Sequence, residues 1–456
     1  MDQNYFLNRL KTGLPLFDHF PKPVRPMIMG TESEYGVATA DDGEPIVHTH
    51  RLPVVLENGG RIYFDMNRHL EYASPEVPDA VHATAYYEAG KIICARSGYS
   101  PKLYCHNNDW QGQTFGSHEN YFNTLTWEEK QALVPFLVAR TILCGAGWQN
   151  DVYSIAQRPP FVKHIFHLNT TDNRGILNTR NEPLSSLPGW NRLHLILGDA
   201  NMSQMSTFIR LGFTGMVIEL AEMAALPCIR YSDKDETVLA DLNRLTNLPD
   251  KWLMLGIEYG PKDPIELLSL YLERANAEFG ERDEITMALI AVIRDTLEKL
   301  ASNFTLLEKR LDWMAKLRLI EEHGKGFEEW GKRAIDLAYH DLDRECSLYT
   351  GLLLTSKMEK TVSDLMTDEA SVEPPKSTRA YARGRLVKLL AEEGRGREVK
   401  DQAWEELMIV DESFNRPRRG QMPSGKIYWR KNIVNPFENY WDLFSKVEYR
   451  IRSGRI

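Results

Sequence analysis

The spacing of apolar side chains divides the chain into two kinds of segment. Between residues 27 and about 215, apolar and polar positions alternate in short stretches punctuated by glycine, a pattern that predicts β-strands. The strand-like stretches are MIMGTESEYGVAT, GGRIYFDM, PKLYCHNN, GSHENYFNTL and RLHLILGDANMS. Two apolar runs lie among them, DAVHATAYYEAGKIICARSG and KQALVPFLVARTILCGAG, and predict helices.

From about residue 215 to 365 the apolar positions recur every three to four residues, which predicts amphipathic helices that pack against the sheet. The clearest are TGMVIELAEMAAL, DPIELLSLYLERANAEF, EITMALIAVIRDTLEKLASNF and KRLDWMAKLRLIEEH. Strands with interspersed helices, followed by a helical region, indicate an α+β (α/β) fold.

Proline-rich segments predict three parts of the chain. Residues 1–26 carry four prolines and are expected to form an N-terminal arm, and residues 27–375 form the large domain. The stretch EASVEPPKSTRAYARG, at 369–384, predicts the boundary, and residues 376–456 form a small C-terminal domain.

Charge and composition narrow the classes of partner. The net charge of −9 argues against generic affinity for nucleic acid. No 18-residue apolar run and no secretory signal pattern is present, so neither a membrane span nor export is expected. The five cysteines show no metal-like spacing and are expected to be buried in a reduced, cytoplasmic protein.

The stretch GTESEYG, residues 30–36, places Glu32 and Glu34 two apart on a predicted strand. Their carboxylates would project from the same face. Two carboxylates at such a short distance repel each other, and this repulsion raises the pKa of one of them unless a cation lies between them. A divalent metal is one explanation, and an edge strand that faces solvent is the other.

A second acidic stretch is ENGGRIYFDMNRHLEYASPE, residues 57–76. Arg61, Tyr63 and Asp65 alternate and share a face, which either lines a site or faces water. Glu71 follows six residues after Asp65. With Glu32 and Glu34 on a neighbouring strand, these oxygens favour magnesium or manganese, and magnesium in turn implies a nucleotide partner.

Other polar positions suit phosphate. Arg180 and Arg192 offer the forked donors that bind phosphate oxygens, and His194 shares a strand face with Arg192. A further polar cluster is GSHENY, with His118, although single histidines are also common as structural residues. The sequence has no glycine-rich phosphate loop, so ATP would bind on a sheet surface through metal and arginine.

Seven motifs follow one another along the chain: GTESEYG, NGGRIYFDMNRHLEYASPE, GSHENY, LNTRNEP, RLHLILGDAN, LDWMAKLRL and STRAYARG. Through them, residues 27 to about 410 resemble the Pup ligase and depupylase family, whose fold is related to glutamine synthetase. The resemblance implies a large domain with a curved, mainly antiparallel sheet packed by helices. It also implies a Pup-like protein modifier as partner, together with its conjugates or acceptor proteins and a proteasome pathway.

The resemblance implies a role for individual residues. Glu32, Tyr63 and Glu71 resemble magnesium ligands, and Asp65 stands in the position of the catalytic aspartate. The expected ATP contacts are Arg61 and Ser74, with Trp404 packing on the nucleotide, and His194 and Arg180 resemble residues that touch metal or phosphate.

The resemblance leaves three activities open. GSHENY, LDWMAKLRL, GDAN and TRAYARG are closer to the depupylase or deamidase, which hydrolyses the isopeptide or amide bond and is the first expectation. DLAYHDL and the absence of a long inserted loop favour the ligase, which joins the modifier to lysine through a glutamyl phosphate. A non-catalytic binder of the modifier is the third hypothesis.

The chain also departs from the family pattern. The connection from Gly36 to Leu56 is short, and a family His-Pro-Glu reads His69-Leu70-Glu71. The run that follows the Asn-Thr-Arg motif reads Asn-Glu-Pro-Leu at 181–184. These departures predict a divergent member whose modifier differs in sequence from Pup.

Overall fold

The computed structural model describes residues 3–37, 54–65, 68–180, 186–249, 252–399, 404–410 and 426–456. The short connection after Gly36 and the run at 181–184 therefore lie largely or wholly outside the described residues. The strands are β1 (Met29–Val37), β2 (Val54–Val55), β3 (Arg61–Phe64), β4 (Leu70–Ala73), β5 (Leu103–Tyr104), β6 (Ser117–Asn123), β7 (Trp148–Gln149), β8 (Tyr153–Ser154), β9 (Val162–His167), β10 (Arg174–Asn178), β11 (Asn191–Leu195), β12 (Arg230–Tyr231), β13 (Ile257–Tyr259), β14 (Glu406–Val410) and β15 (Ile427–Asn432).

The α-helices are the other main regular elements of the described chain. They are α1 (Gln3–Lys11), α2 (Ala80–Arg96), α3 (Trp127–Gln131), α4 (Val134–Ala139), α5 (Thr141–Cys144), α6 (Gln204–Glu222), α7 (Asp235–Arg244), α8 (Pro264–Phe279), α9 (Glu284–Ser302), α10 (Asp312–His323), α11 (Glu329–Tyr339), α12 (Leu348–Leu354), α13 (Asp364–Val372), α14 (Ala380–Glu392) and α15 (Trp441–Arg452). The described chain also contains three short 3₁₀ segments, at Pro159–Phe161, Phe304–Leu307 and Gly396–Val399.

One large sheet organises the described chain. Its strand order is β2-β3-β4-β1-β6-β11-β10-β9, and β5 pairs with the end of β1. The strand pairs are antiparallel except β9 with β10, which is parallel. The predicted α+β fold with a mainly antiparallel sheet packed by helices is confirmed.

Most predicted helices form where the apolar spacing places them, but one run differs. The stretch 130–147 forms three short helices, α3, α4 and α5, instead of one. Pro135 lies in the first turn of α4. In a continuous helix its ring would clash with the carbonyl of Gln131, so the helix ends there and restarts.

The two faces of the sheet differ in chemistry. On the back face, buried side chains such as Tyr35, Tyr72 and Leu193 belong to the hydrophobic core, against which α2 and α6 pack. The front face carries the polar side chains described below. Alternation along each strand therefore separates the core from a candidate site.

A buried ion pair interrupts the apolar back face. Glu119 on β6 accepts hydrogen bonds from both terminal nitrogens of Arg140, each at 2.8 Å. Arg210 of α6 lies 3.9 Å from the same carboxylate, and Tyr121 donates to it at 2.7 Å. Although GSHENY suggests one polar cluster, Glu119 thus lies on the opposite face from His118 and Asn120.

The C-terminal part has a hydrophobic cluster of its own, formed by side chains of α14, β14 and α15. The boundary predicted at residue 375 stays a prediction. Of the described helices, none combines the length and the apolar character that a membrane crossing requires. Cys94, Cys105 and Cys144 are buried as expected, whereas Cys228 and Cys346 are exposed, so burial was wrong for those two.

Candidate functional site

Strand register aligns the polar side chains of the front face in rows that cross the sheet. Tyr63, Glu71 and Glu34 form one row, and Arg61, Ala73, Glu32 and His118 form the next. A third row joins Gly30, Asn120, His194 and Asn178, and a fourth pairs Phe122 with Arg192. Neighbouring rows are two residues, or about 7 Å, apart.

The register confirms that the segment 57–76 lies beside the strand with Glu32 and Glu34, and it adds a detail. The segment forms two strands, and β4, which carries Glu71, lies between β3 and β1. The three glutamates are therefore on adjacent strands, and Tyr63 reaches them from one strand further away.

Glu32 lies among nitrogen groups from β6 and β11. His118 Nδ1 lies 3.2 Å and His194 Nε2 3.6 Å from Oε2, and Asn120 donates to Oε1 at 3.3 Å. Burial raises the pKa of the Glu32 carboxyl, but the hydrogen bond with His118 and the charge of Arg192 outweigh it. The pKa is lowered well below its usual range, so Glu32 is a carboxylate.

His194 is held in one tautomer. Arg192 donates a hydrogen bond to its Nδ1, which leaves the ring proton on Nε2. Burial, opposed by Glu32 and aided by Arg192, lowers the pKa of His194 well below its usual value, so the ring is neutral. Binding a metal through Nε2 would require Arg192 to release Nδ1.

Glu34 and Glu71 form the acidic end of the face. The Tyr63 hydroxyl donates to Glu71 Oε1 at 2.5 Å, and the Gly116 amide donates to Glu34 Oε2. Gly116 has no side chain there because a Cβ would collide with the His118 ring. Burial first, and then the charges of Glu34 and Glu32, raise the pKa of Glu71 well above its usual range.

The chemistry of this donor set suits a hard divalent cation. Three carboxylates on adjacent strands share one face, and repulsion from the other two glutamates helps to raise the pKa of Glu71. Carboxylate and phenol oxygens without thiolates favour magnesium or manganese. Glu32, Glu34, Glu71 and Tyr63 therefore fit the predicted magnesium.

Asp65 follows the last residue of β3 and is held by His69. The His69 amide donates to Oδ1 at 2.7 Å, and its Nδ1 lies 3.0 Å from Oδ2. The His69 ring packs 4.4 Å from Phe115, just before β6. Glu34, Asp65 and His69 bring ligand atoms within 4.8 Å of one another, so Asp65 lies at the acidic end of the face.

A cavity of about 400 Å³ opens over the second, third and fourth rows. Four predicted nucleotide contacts line it, Ser74, Arg180, Arg192 and Trp404, together with Glu32. Among the described residues, Tyr63, Asp65, Glu34 and Glu71 are not part of its wall. The predicted nucleotide contacts and the acidic end thus adjoin each other and meet at Glu32.

Ser74 and Arg180 are held by local contacts. Ser74 Oγ accepts from the Thr31 amide at 2.9 Å and donates to the Pro75 carbonyl at 3.0 Å. One acceptor position of that hydroxyl remains for a ligand. The amide of Arg180 donates to Asn178 Oδ1 at 2.8 Å, which fixes its backbone at the cavity wall.

The indole of Trp404 lies among arginines. The guanidinium of Arg61 lies 4.3 Å from the ring centroid, and that of Arg383 lies 4.7 Å from it. Both distances are within the range of cation–π attraction. Arg61, although absent from the cavity wall, therefore adjoins it through Trp404.

Sequence reasoning missed several residues of the site. His69 carried a signal, its place two residues before Glu71, but no role was assigned to it. Other missed cavity residues come from segments distant in sequence: Phe122, Lys130, Trp190, Arg379 and Pro436. These residues come together only because β6 pairs with β11 and because the C-terminal part packs beside the sheet.

A second cluster of possible metal ligands lies behind the sheet, at His106, Asp336 and His340. Lys316 already occupies it: its ammonium donates to Asp336 Oδ1 at 2.5 Å and lies 2.8 Å from His340 Nε2. A buried ammonium neutralises the carboxylate that a cation would need. This cluster is therefore structural.

Comparison with known families adds a second kind of observation. Residues 40–408 match the family model described as Pup-ligase protein. The chain is 31% identical to a depupylase of Acidothermus cellulolyticus, over 78% of this chain and 75% of the relative. It is 28% identical to a Pup–protein ligase of Kineococcus radiotolerans, over 85% and 94% of the two chains.

Solved structures share the fold. The chain superposes on the ligase PafA from its complex with the prokaryotic ubiquitin-like protein Pup with a TM-score of 0.77, at 22% identity, covering 94% and 93% of the chains. Against PafA in complex with ADP the TM-score is 0.75 at 23% identity, covering 88% and 90%.

Proposed function

The chain belongs to the Pup-ligase protein family, an enzyme family of the carboxylate–amine ligase kind, and from that membership we propose a reaction. The protein uses Mg-ATP to act on the side chain of the C-terminal glutamate or glutamine of a Pup-like modifier. The observation that carries the proposal is the continuous front face, on which three glutamates and Asp65 adjoin a cavity of nucleotide size. The proteasome link and the cytoplasmic location stay predictions.

In this proposal the front face would hold both the magnesium and the nucleotide. Glu32, Glu34, Glu71 and Tyr63 would hold magnesium, with His194 beside them. Arg61, Ser74, Arg180, Arg192 and Trp404 would hold ATP. When bound, Mg-ATP supplies the phosphoryl group that turns a poorly electrophilic carboxylate into one that an amine can attack.

Asp65 is proposed as the general base. One of its oxygens accepts from the His69 amide and the other lies beside His69 Nδ1, so its carboxylate has a fixed orientation at the acidic end of the face. In ligation Asp65 would take a proton from the attacking lysine, and in hydrolysis from the attacking water, or would itself be the nucleophile. His69 would keep the carboxylate aimed in each case.

Hydrolysis of the conjugate or of a terminal amide is the first candidate direction. It is supported by the higher identity to the depupylase, 31% against 28% for the ligase, and by the depupylase-like motifs. Ligation is the second candidate. It is supported by the share of the relative that is matched, 94% for the ligase against 75% for the depupylase.

One experiment tests the reaction and its direction. Wild type, Asp65→Asn and the control Asp233→Asn, an exposed aspartate outside the site, are incubated with Mg-ATP in two mixtures. The first contains a lysine-bearing acceptor and a modifier that ends in glutamate, and the second a preformed conjugate. Asp65→Asn should lose about a hundredfold to ten-thousandfold in rate and still bind Mg-ATP, because asparagine cannot accept the proton.

The products identify the direction. Loss of conjugate in the second mixture alone makes the protein a depupylase, and new conjugate in the first alone makes it a ligase. Full activity of Asp65→Asn would show that another residue is the base. Binding of modifier with no turnover in either mixture would favour a non-catalytic binder.

A further inference from the structure

Two arginines at the start of α14 share one largely buried carboxylate, that of Glu76, in the wall of the cavity. Arg379 lies just before the helix and Arg383 one turn later, and both side chains are almost fully buried. Arg379 Nε donates to Glu76 Oε1 at 2.6 Å, and Arg383 Nη2 donates to Oε2 at 2.5 Å. Glu76 follows β4 on the sheet, so this cluster ties α14 to the strand that carries Glu71.

Arg383 also contacts the backbone on both sides of the cleft. Its Nε donates to the Gly59 carbonyl at 2.9 Å, in the turn between β2 and β3, and its Nη1 donates to the Trp404 carbonyl at 3.1 Å. The same guanidinium lies 4.7 Å from the centroid of the Trp404 ring. One side chain thus fixes the backbone and the ring of Trp404 relative to β3.

The turn at Gly59 is fitted closely to the helix. Gly59 has a φ of +84°, and a Cβ there would lie 2.9 Å from the Ala380 carbonyl oxygen. Its backbone therefore approaches α14 where a larger residue would not fit. This close approach brings the Gly59 carbonyl within reach of Arg383.

We propose that Arg383, anchored by Glu76, is a positioning residue that sets Trp404 in the wall of the nucleotide cavity. The inference rests on the proposed function, since it assumes that Trp404 meets the nucleotide. Arg383 acts through Trp404, and Glu76 with Arg379 fixes the angle of the guanidinium fork. A lysine at 383 would keep the charge beside Glu76 but could not reach Gly59, Glu76 and the Trp404 carbonyl together.

The test measures Mg-ATP binding by isothermal titration calorimetry, which requires no turnover. Arg383→Lys should weaken binding by about tenfold, the combined size of one hydrogen bond and one cation–π contact. Arg385→Lys is the matched control on the same helix, because Arg385 is half-buried and lies 3.9 Å from Glu373, away from Trp404. The control should bind like wild type.

The double variant separates positioning from general destabilisation. If Arg383 acts through Trp404, then Arg383→Lys combined with Trp404→Ala should bind no more weakly than Trp404→Ala alone. Additive losses, or wild-type affinity of Arg383→Lys, would overturn the inference. Failure of the wild type to bind Mg-ATP would instead overturn the proposed function.

A second variant keeps the inference testable if Arg383→Lys destabilises the fold. If Arg383→Lys lowers the melting temperature without nucleotide, Glu76→Gln repeats the test, because it loosens the anchor and keeps the guanidinium. It should weaken Mg-ATP binding in the wild-type background and have no further effect with Trp404→Ala. An effect that persists with Trp404→Ala would contradict the role.

Discussion

At the scale of single residues, Glu32 stands out because its surroundings fix both its charge and its direction. Three nitrogen groups converge on one carboxylate at 3.2 to 3.6 Å. Glu71, which lies on the adjacent strand in the neighbouring row, has the opposite tendency, since burial and like charges raise its pKa. A cation between them would be stabilised by the first and would keep the second ionised.

We therefore expect Glu32→Gln to weaken nucleotide binding only when magnesium is present. The affinity for ATP should fall at least about tenfold, because even mutations of residues that only support a metal ligand typically reduce metal affinity by that factor. Titration of ATP with and without magnesium measures it. Glu258→Gln, on the exposed face of β13, is the control; equal ATP affinity of Glu32→Gln and wild type with magnesium would contradict the assignment.

At the scale of elements, α10 and α11 are joined by charges that water cannot reach. Lys316 and Asp336 are fully buried, whereas Arg318 on the same α10 forms a half-exposed pair with Glu322 at 2.7 Å. Buried and exposed pairs of this kind differ in what their loss costs. Removing one partner from a buried pair leaves an uncompensated charge, while an exposed partner returns to water.

Lys316→Met should therefore lower the free energy of unfolding by about 3 to 5 kcal/mol. Arg318→Met should change it by about 1 kcal/mol or less. Urea denaturation of both variants beside wild type provides the comparison. Similar losses for the two variants would show that the buried pair has no special role.

The attachment of α14 gives a prediction about pH. Burial raises the pKa of Glu76, but the charges of Arg383 and Arg379 outweigh it and lower the pKa to about 2. A carboxyl with a lowered folded-state pKa contributes stability above its unfolded pKa of 4.5 and loses it as the pH falls towards 2. The free energy of unfolding of wild type should thus exceed that of Glu76→Gln at pH 6, and the difference should shrink by pH 3. A difference that stays constant between these pH values would contradict the linkage.

Part of this architecture follows from the sequence alone, because it depends on local periodicity. Alternation places Arg61 with Tyr63, and Arg192 with His194, and 3.6-residue spacing predicts α8 and α9. Strand order does not follow from periodicity, so β4 was not expected between β3 and β1. The hydrogen bond from Arg383 to Glu76 joins positions that are 307 residues apart, and no local sequence pattern predicts that contact.

At the scale of the whole molecule, the cavity is built from both ends of the chain. Its wall includes Glu32 on β1 and Ser74 after β4, and it also includes Arg379, Trp404 and Pro436 from the C-terminal part. A ligand that contacts both would be lost when either part moves away. Binding must then stabilise their association.

Mg-ATP at a hundred times its dissociation constant should slow amide hydrogen exchange in β1 and β14. Any local unfolding that destroys the site would become about a hundredfold rarer, because bound ligand raises the free energy of that unfolding by about 2.7 kcal/mol. Exchange in α8, remote from the cavity, should not change, which mass spectrometry of the exchanged peptides would show. Protection confined to the sheet would indicate that the C-terminal part does not touch the nucleotide.

The buried contact of Glu119 with Arg140 and Arg210 restricts which substitutions these three positions can accept during evolution. Loss of Glu119 alone would leave two guanidinium groups uncompensated in the core, and loss of Arg140 alone would leave the carboxylate with the Tyr121 hydroxyl and the more distant charge of Arg210. Each single step is costly, although an apolar trio of similar volume could be as stable as the charged one. Lineages of this protein should therefore carry either all three charged residues or none, and intermediates should be rare.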